Sequence, residues 1–245
     1  MSRAYIHEFV DIAGANRARY LHHITANWSP IGQEQRRQSC FGVWGVVGST
    51  GRWPQVVNLW EYQSWGDLAY NFEVELASPS MQDPDLADWW RTAASLRTGG
   101  FDRVLVAPDW SPGIDQLCSA GARGAGYAHE LVRCRPGAAR ELLESVRELG
   151  VAAYAEAGLG LIGAFRRAMV ADDELVLIWA FGDWASWGAF EESTLGTRSP
   201  VGDWRSRIAG DVVGWERILL VDAELSPLRI GRQPAVSDRR SLDLV

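Results

Sequence analysis

Gln55–Tyr62 carries three side chains with chemistry to offer on one face of an expected strand. Alternation puts Val56, Asn58, Trp60 and Tyr62 on one side and Val57, Leu59 and Glu61 on the other. An amide and a phenol beside an indole can hold and polarise a phenolic or quinone oxygen. They can also stabilise a substrate carbanion that reacts with oxygen by itself. A hydrogen-bonded core is the alternative use of the same residues. Asn58 and Tyr62 head the catalytic candidates. His7 joins them as general base, because imidazole titrates near neutrality. Its neighbour Glu8 alternates to the opposite face, so the two cannot work as a contacting pair. The motif returns as His129-Glu130, which favours a role in the fold. His22 completes the set. It and His23 are adjacent on a predicted helix and diverge by about 100°, so one of them faces the space between helix and sheet. A haem ligand and a packing residue are the other readings of His22.

Aromatic residues supply the predicted binding wall. The chain has 13 Trp, and those from Trp28 to Trp110 crowd its first half. Core packing accounts for many of them, and a pocket for a flat aromatic ligand accounts for the excess. Trp44, Trp60, Trp65 and Trp89 are the expected lining residues. Arg52 and Trp53 lie in the hairpin loop Gly48–Pro54. They form either a lid over an aromatic or anionic ligand, a flavin phosphate included, or a cation–π pin for the hairpin.

These residues sit on elements that occur twice. Ala4–Asp11 reads as a strand, Asn16–Trp28 as a helix ended by a Ser29–Pro30 turn, and Cys40–Val47 and Gln55–Tyr62 as a hairpin. Helices at Trp65–Leu76 and Pro84–Arg97 follow, the second stopped by Gly99–Gly100, and then a strand at Phe101–Ala107. Tyr127-Ala-His-Glu-Leu-Val132 mirrors Tyr5-Ile-His-Glu-Phe-Val10. Glu174–Phe190 repeats the strand-to-helix passage, with Trp179 answering Trp60 and Trp184 answering Trp65. Trp204 answers Trp90, and Trp215-Glu-Arg-Ile-Leu219 answers Phe101-Asp-Arg-Val-Leu105. The polarity differs between copies: Asn58 becomes Leu177, Tyr62 becomes Phe181 and Trp89 becomes Asp203. The predicted organisation is a first repeat over 1–110, a Gly/Ser/Pro-rich linker over 111–126, a second repeat over 127–226 and a loose polar tail over 227–245. Each repeat has the order β-α-β-β-α-α-β and suits a ferredoxin-like α+β unit. Two such units in one chain bury their open sheet faces against each other as an intramolecular α/β barrel.

Bulk composition narrows the function classes. At 245 residues and 47% hydrophobic content the chain can bury a full core. A formal net charge of −7 argues against nucleic acid as a partner. Cys40, Cys118 and Cys134 have no metal-type spacing, and free thiols in a reducing cytoplasm fit best. No apolar run is long enough to span a bilayer, so the expectation is a soluble cytoplasmic protein, monomer or homodimer. Gly158-Leu-Gly160 and Gly121–Gly124 lack the strand–helix setting of a nucleotide fingerprint, and no metal-ligand cluster stands out.

The run Tyr5-Ile-His-Glu-Phe9, the loop Gly51-Arg52-Trp53-Pro54 and the stretch Val57-Asn58-Leu59-Trp60-Glu61 resemble NIPSNAP-type members of the dimeric α/β barrel superfamily. The resemblance covers about residues 4–110 and, more thinly, 127–225. In its tandem architecture and Trp-rich composition the chain is also similar to antibiotic-biosynthesis monooxygenases and to the ring-opening oxygenases of angucycline pathways. The resemblance implies an oxygenase of specialised metabolism acting on a polycyclic aromatic polyketide, by oxidation or oxidative ring opening. It would work without a cofactor or with reduced flavin (FADH2 or FMNH2). A non-catalytic small-molecule binder or scaffold is the second reading, and a haem enzyme the third.

Overall fold

The computed structural model describes residues 2–195 and 199–245. Eight strands form one closed antiparallel barrel: β1 (Ala4–Ile12), β2 (Ser39–Val46), β3 (Gln55–Tyr62), β4 (Arg97–Val106), β5 (Gly126–Cys134), β6 (Leu159–Arg167), β7 (Glu174–Phe181) and β8 (Val212–Asp222). Around the barrel they run β1-β3-β2-β8-β5-β7-β6-β4. Each repeat contributes four consecutive staves, and the repeats join where β2 meets β8 and β4 meets β6. Two fused ferredoxin-like units thus close on each other, as the duplicated pattern predicts.

Alternation sorts the side chains into two environments. Tyr5, Phe9, Trp44, Val57, Leu59, Leu105 and their counterparts Tyr127, Phe165, Ile178 and Leu220 fill the barrel interior. The opposite faces are covered by helices. In the first repeat these are α1 (Arg17–His22), which runs through a π-helical turn at His23–Trp28 into α2 (Ser29–Gln35), then α3 (Trp65–Leu76) and α4 (Ala87–Leu96). In the second they are α6 (Ala139–Ser145), continued by a π-helical turn into α7 (Val151–Glu156), then α8 (Trp184–Leu195) and α9 (Pro200–Ile208), after α5 (Ile114–Ser119) in the connection between repeats. Among the described residues, no helix is long and apolar enough to cross a membrane.

Four local expectations change. Ser29–Pro30 continues the helix, with Pro30 placed directly after the π-helical turn at the start of α2. Gly99 and Gly100 belong to β4. A Cβ on Gly100 would stand 2.2 Å from the Phe9 carbonyl oxygen, so glycine here serves the close approach of two strands. The 111–126 segment, read as a linker, holds α5, whose Ile114 and Leu117 pack into the barrel interior beside Leu228 of α10 (Pro227–Ile230). The tail, read as loose, is tied down by polar contacts. Gln233 accepts from Cys40 N–H at 2.9 Å and donates to the Cys40 carbonyl at 2.8 Å, and Gln33 donates to the Pro234 carbonyl at 2.8 Å.

Candidate functional site

Between the first repeat's sheet and its helices lies a cavity of about 280 Å³. Its floor is Ile6 and Glu8 of β1 with Trp60 of β3; Trp28, Phe72, Trp89 and Trp90 come from the helical layer. Trp28 and Trp89 lie 4.7 Å apart at 43°, and Trp89 and Trp90 4.7 Å apart at 86°. Three indoles at fixed mutual angles make an aromatic corner suited to a flat ring. His23 stacks on Trp89 at 4.9 Å and 17°, and its Nε2 lies 3.3 Å from the Trp89 carbonyl oxygen. Burial holds its pKa down at about 4, so it is a neutral buttress behind the wall.

The Glu8 carboxylate on the floor is held on one side only. Glu8 Oε2 accepts from Asn58 Nδ2 at 2.7 Å and from Trp60 Nε1 at 3.0 Å, and the Asn58 amide also donates to Tyr20 Oη at 3.1 Å. Among the described residues no side chain bonds Oε1. Asp102 lies directly across the β1–β4 register from Glu8 and also lines the cavity. Burial raises the Glu8 pKa to about 7, and the Asp102 carboxylate pushes the same way. The donors Trp60 and Asn58 and the Arg97 guanidinium pull back. Burial raises Asp102 as well. Arg97 lies over the Trp90 ring at 5.5 Å and is the cation of the cavity wall. A carboxylate poised near neutrality, with one oxygen oriented by two donors and its residue lining an aromatic slot, has the properties of a general base.

Of the residues singled out from sequence, Trp60 and Trp89 line this cavity, with Asn58 directly beneath it through Glu8. Tyr62 stands one step back: its hydroxyl accepts from Gln38 Nε2, and Gln38 Oε1 accepts from Trp28 Nε1 at 2.8 Å, so Tyr62 positions a wall residue. The others lie elsewhere. His7 points into the barrel, stacked on His129 with the two Nε2 atoms 3.0 Å apart. Burial holds its pKa well below the ordinary imidazole value, with His129 adding to the effect. His22 lies under the tail, its Nε2 accepting from the Arg240 N–H at 3.1 Å. Trp44 is inside the barrel, because a bulge between Cys40 and Gly42 shifts the alternation of β2. Trp65 is exposed at the start of α3. Arg52 pairs with Asp11 at 3.2 Å, and the Arg17 guanidinium sits 4.2 Å over the exposed Trp53, so this loop is a pinned hairpin outside the cavity wall. Among the described residues no histidine lines the cavity, and no cluster of three His, Cys, Asp or Glu has a metal-holding arrangement.

The sequence pattern left Glu8 with a structural role and gave no sign of Asp102 or Arg97. The signal for Glu8 was present: Glu130 repeats it, and Trp179 Nε1 donates to Glu130 Oε2 at 3.0 Å as Trp60 does to Glu8. Asp102 was hidden by a sequence match one residue out of step. The strand registers set Asp102 opposite Glu8 and Arg217 opposite Glu130, so Asp102 corresponds to Arg217 and Leu105 to Leu220.

No protein-family model and no curated protein matches the sequence; solved structures resemble the fold. An anthrone oxidase-like protein superposes with a TM-score of 0.60 at 10% identity, over 90% of this chain and 91% of that one. A monooxygenase candidate from Lactobacillus acidophilus gives 0.58 at 10% identity, over 90% and 94%. What is shared is the fold. A NIPSNAP family protein from Agrobacterium tumefaciens aligns with 43% of this chain and 95% of its own length, at 21% identity and a TM-score of 0.38.

Proposed function

We propose that the first repeat is a cofactor-independent oxygenase site for a fused-ring phenolic substrate of the polyketide type, with Glu8 as general base. The observation that carries this reading is the Glu8 carboxylate, fixed through one oxygen by Asn58 and Trp60 on a residue that lines a slot walled by indoles. A substrate ring packed against Trp28, Trp89 and Trp90 presents an acidic C–H, conjugated to a ring carbonyl, to Glu8 Oε1. Glu8 takes that proton, and the electron pair delocalises onto the carbonyl oxygen. The Arg97 guanidinium favours the resulting enolate, a charge that develops only as the reaction proceeds. The carbanion then passes one electron to O2, and the radical pair combines to form a C–O bond. Glu8 returns its proton to the peroxide, which loses water as a second ring carbonyl forms. The balance is one CH2 and one O2 giving one C=O and one H2O. The name of the anthrone oxidase-like neighbour fits this reaction class. A slot of this volume seats one flat ring system, which is why the reading assigns it to the substrate and not to a flavin.

The test uses anthrone as probe substrate, with oxygen uptake and anthraquinone formation followed at neutral pH without added flavin or metal. The expected result is one O2 consumed per anthraquinone formed, faster than with Glu8→Gln or with buffer alone. A native protein no faster than Glu8→Gln sinks the reading. A protein that binds anthrone and returns it unchanged is a binder.

A further inference from the structure

Asn71 places an amide where the second repeat has an apolar side chain. It is the seventh residue of α3, and the seventh residue of α8 is Phe190. Phe190 is fully buried and packs on the Tyr154 ring at 5.6 Å, within the aromatic layer that closes the second repeat. Asn71 is only 5% exposed, yet its Oδ1 is buried with no donor among the described residues. An asparagine inside a helix usually faces solvent or bonds to a nearby backbone group, and Asn71 Oδ1 does neither. Asn71 lines the aromatic slot, as do Phe72, Glu75 and Leu76 of the same helix. Its backbone is held in place. The Asn71 carbonyl accepts from Arg36 Nη1 at 3.5 Å, and the buried Arg36 also pairs with Glu75 at 3.2 Å and Asp83 at 2.7 Å. Gln38, the other carboxamide in the wall, is satisfied at both ends by Tyr62 and Trp28. Asn71 differs from it in having an acceptor that the chain leaves unused.

We propose that Asn71 is a specificity-determining residue of the slot, its Oδ1 accepting a hydrogen bond from a hydroxyl on the substrate ring. The inference rests on the aromatic-slot reading and narrows its substrate class. The ring system carries a free hydroxyl, one not already bonded to a neighbouring ring carbonyl. A ligand with a methyl group in that place leaves the buried acceptor unpaired, and an unpaired acceptor is what makes a polar contact reject an apolar isostere. The same reasoning explains why the amide is tolerated in the free protein at a cost: the bond that offsets its burial forms only with the ligand. Phe190 gives the second repeat no acceptor at this position.

Trp28, Trp60, Trp89 and Trp90 give the slot a fluorescence readout. Quenching is titrated with 2-hydroxyanthraquinone and 2-methylanthraquinone, in mildly acidic buffer where the phenol keeps its proton. The expected result is that the hydroxy probe binds about tenfold more tightly. Asn71→Leu should erase that preference without weakening the methyl probe, and Asn71→Gln should restore part of it. Urea unfolding without ligand separates recognition from packing. Asn71→Leu removes an unpaired buried amide, so its midpoint should equal or exceed the native one. Equal affinity of the native protein for the two probes, or a preference that survives Asn71→Leu, overturns the assignment and leaves the slot standing. A midpoint below the native one marks a structural amide and overturns it too. Failure of both probes to quench removes the slot itself, and the role of Asn71 with it. The oxygenase reading is tested with anthrone, which carries no hydroxyl substituent, so a failure there leaves this binding test intact.

Discussion

Glu8 and Glu130 begin from the same position and end in opposite states. Each lies on the helix-facing side of the first strand of its repeat and accepts a bond from the indole of the third strand. From there the surroundings diverge. Glu130 is fully buried and accepts from Tyr154 Oη at 2.9 Å, Arg205 Nη2 at 3.1 Å and Arg217 Nε at 2.8 Å. The Tyr154 ring lies on Trp179 at 3.9 Å and 12°, covering the indole face that in the first repeat looks into a cavity. Glu8 has Asn58 in place of Leu177 and Asp102 in place of Arg217. The second repeat completes its carboxylate with its own cations and fills the slot with its own aromatic ring. The first keeps the carboxylate, faces it with a second one, and leaves the slot open. One fold thus holds a closed ion cluster in one half and a carboxylate beside an open slot in the other, with Arg217 and Asp102 as the opposing residues on the fourth strand of each repeat.

The largest contrast should come from the same substitution in both halves. Glu8→Gln removes the general base and should lower anthrone turnover by about two to four orders of magnitude, with little change in the urea midpoint. Glu130→Gln should do the reverse. It strips the carboxylate from Arg205 and Arg217 and should cost about 3 kcal/mol of unfolding free energy, while turnover per folded molecule stays near native. Paired oxygen-uptake and urea-unfolding measurements check both. If the two variants shift the same quantity, the division of labour between the halves is wrong.

How far the sequence anticipates this depends on the kind of information each feature needs. The barrel was legible because alternation in β1, β3, β5 and β7 and the repeated Trp60 and Trp179 are local signals. The location of the cavity was legible too, since Asn58 against Leu177 marks one helix-facing side as polar. Glu8 was seen and set aside because repetition suggested structure; its difference from Glu130 lies in the partner strand, which sequence spacing does not fix. The registers set Asp102 opposite Glu8 and Arg217, not Glu216, opposite Glu130, so matching Asp102 to Glu216 was reasonable on residue types and wrong in space. Trp44 was misplaced because a bulge in β2 shifts its alternation. The docked tail depends on amide and backbone contacts with no apolar period to announce them.

Rebuilding the second repeat's electrostatics in the first gives the next effect in size. Asp102→Arg replaces a like charge across from Glu8 with the counter-charge that Glu130 has. An opposite charge favours the ionised carboxylate, so the Glu8 pKa should fall by about one unit or more. General-base activity needs ionised Glu8, so in the native protein kcat/KM should rise with pH toward the raised pKa of the Glu8–Asp102 pair and then level off. In Asp102→Arg that limb should move to lower pH, and the plateau should drop because the base is weaker. An unmoved limb would mean that another group controls the profile.

The smallest effect should come from Asn58→Leu, which installs the residue of the second repeat at the centre of the first. Asn58 Nδ2 donates to Glu8 Oε2, and a donor favours the charged form of an acceptor. Its loss should raise the Glu8 pKa further, moving the acid limb to higher pH, opposite in direction to Asp102→Arg and smaller because Trp60 still donates. Tyr20 Oη loses a donor in the same change, so a modest loss of stability should accompany it and is measured separately by urea unfolding. The informative quantity is the sign of the limb shift. A purely structural Asn58 would lower the amount of folded protein and leave the limb where it was. A limb that moves up in Asn58→Leu and down in Asp102→Arg would place both residues on the same proton.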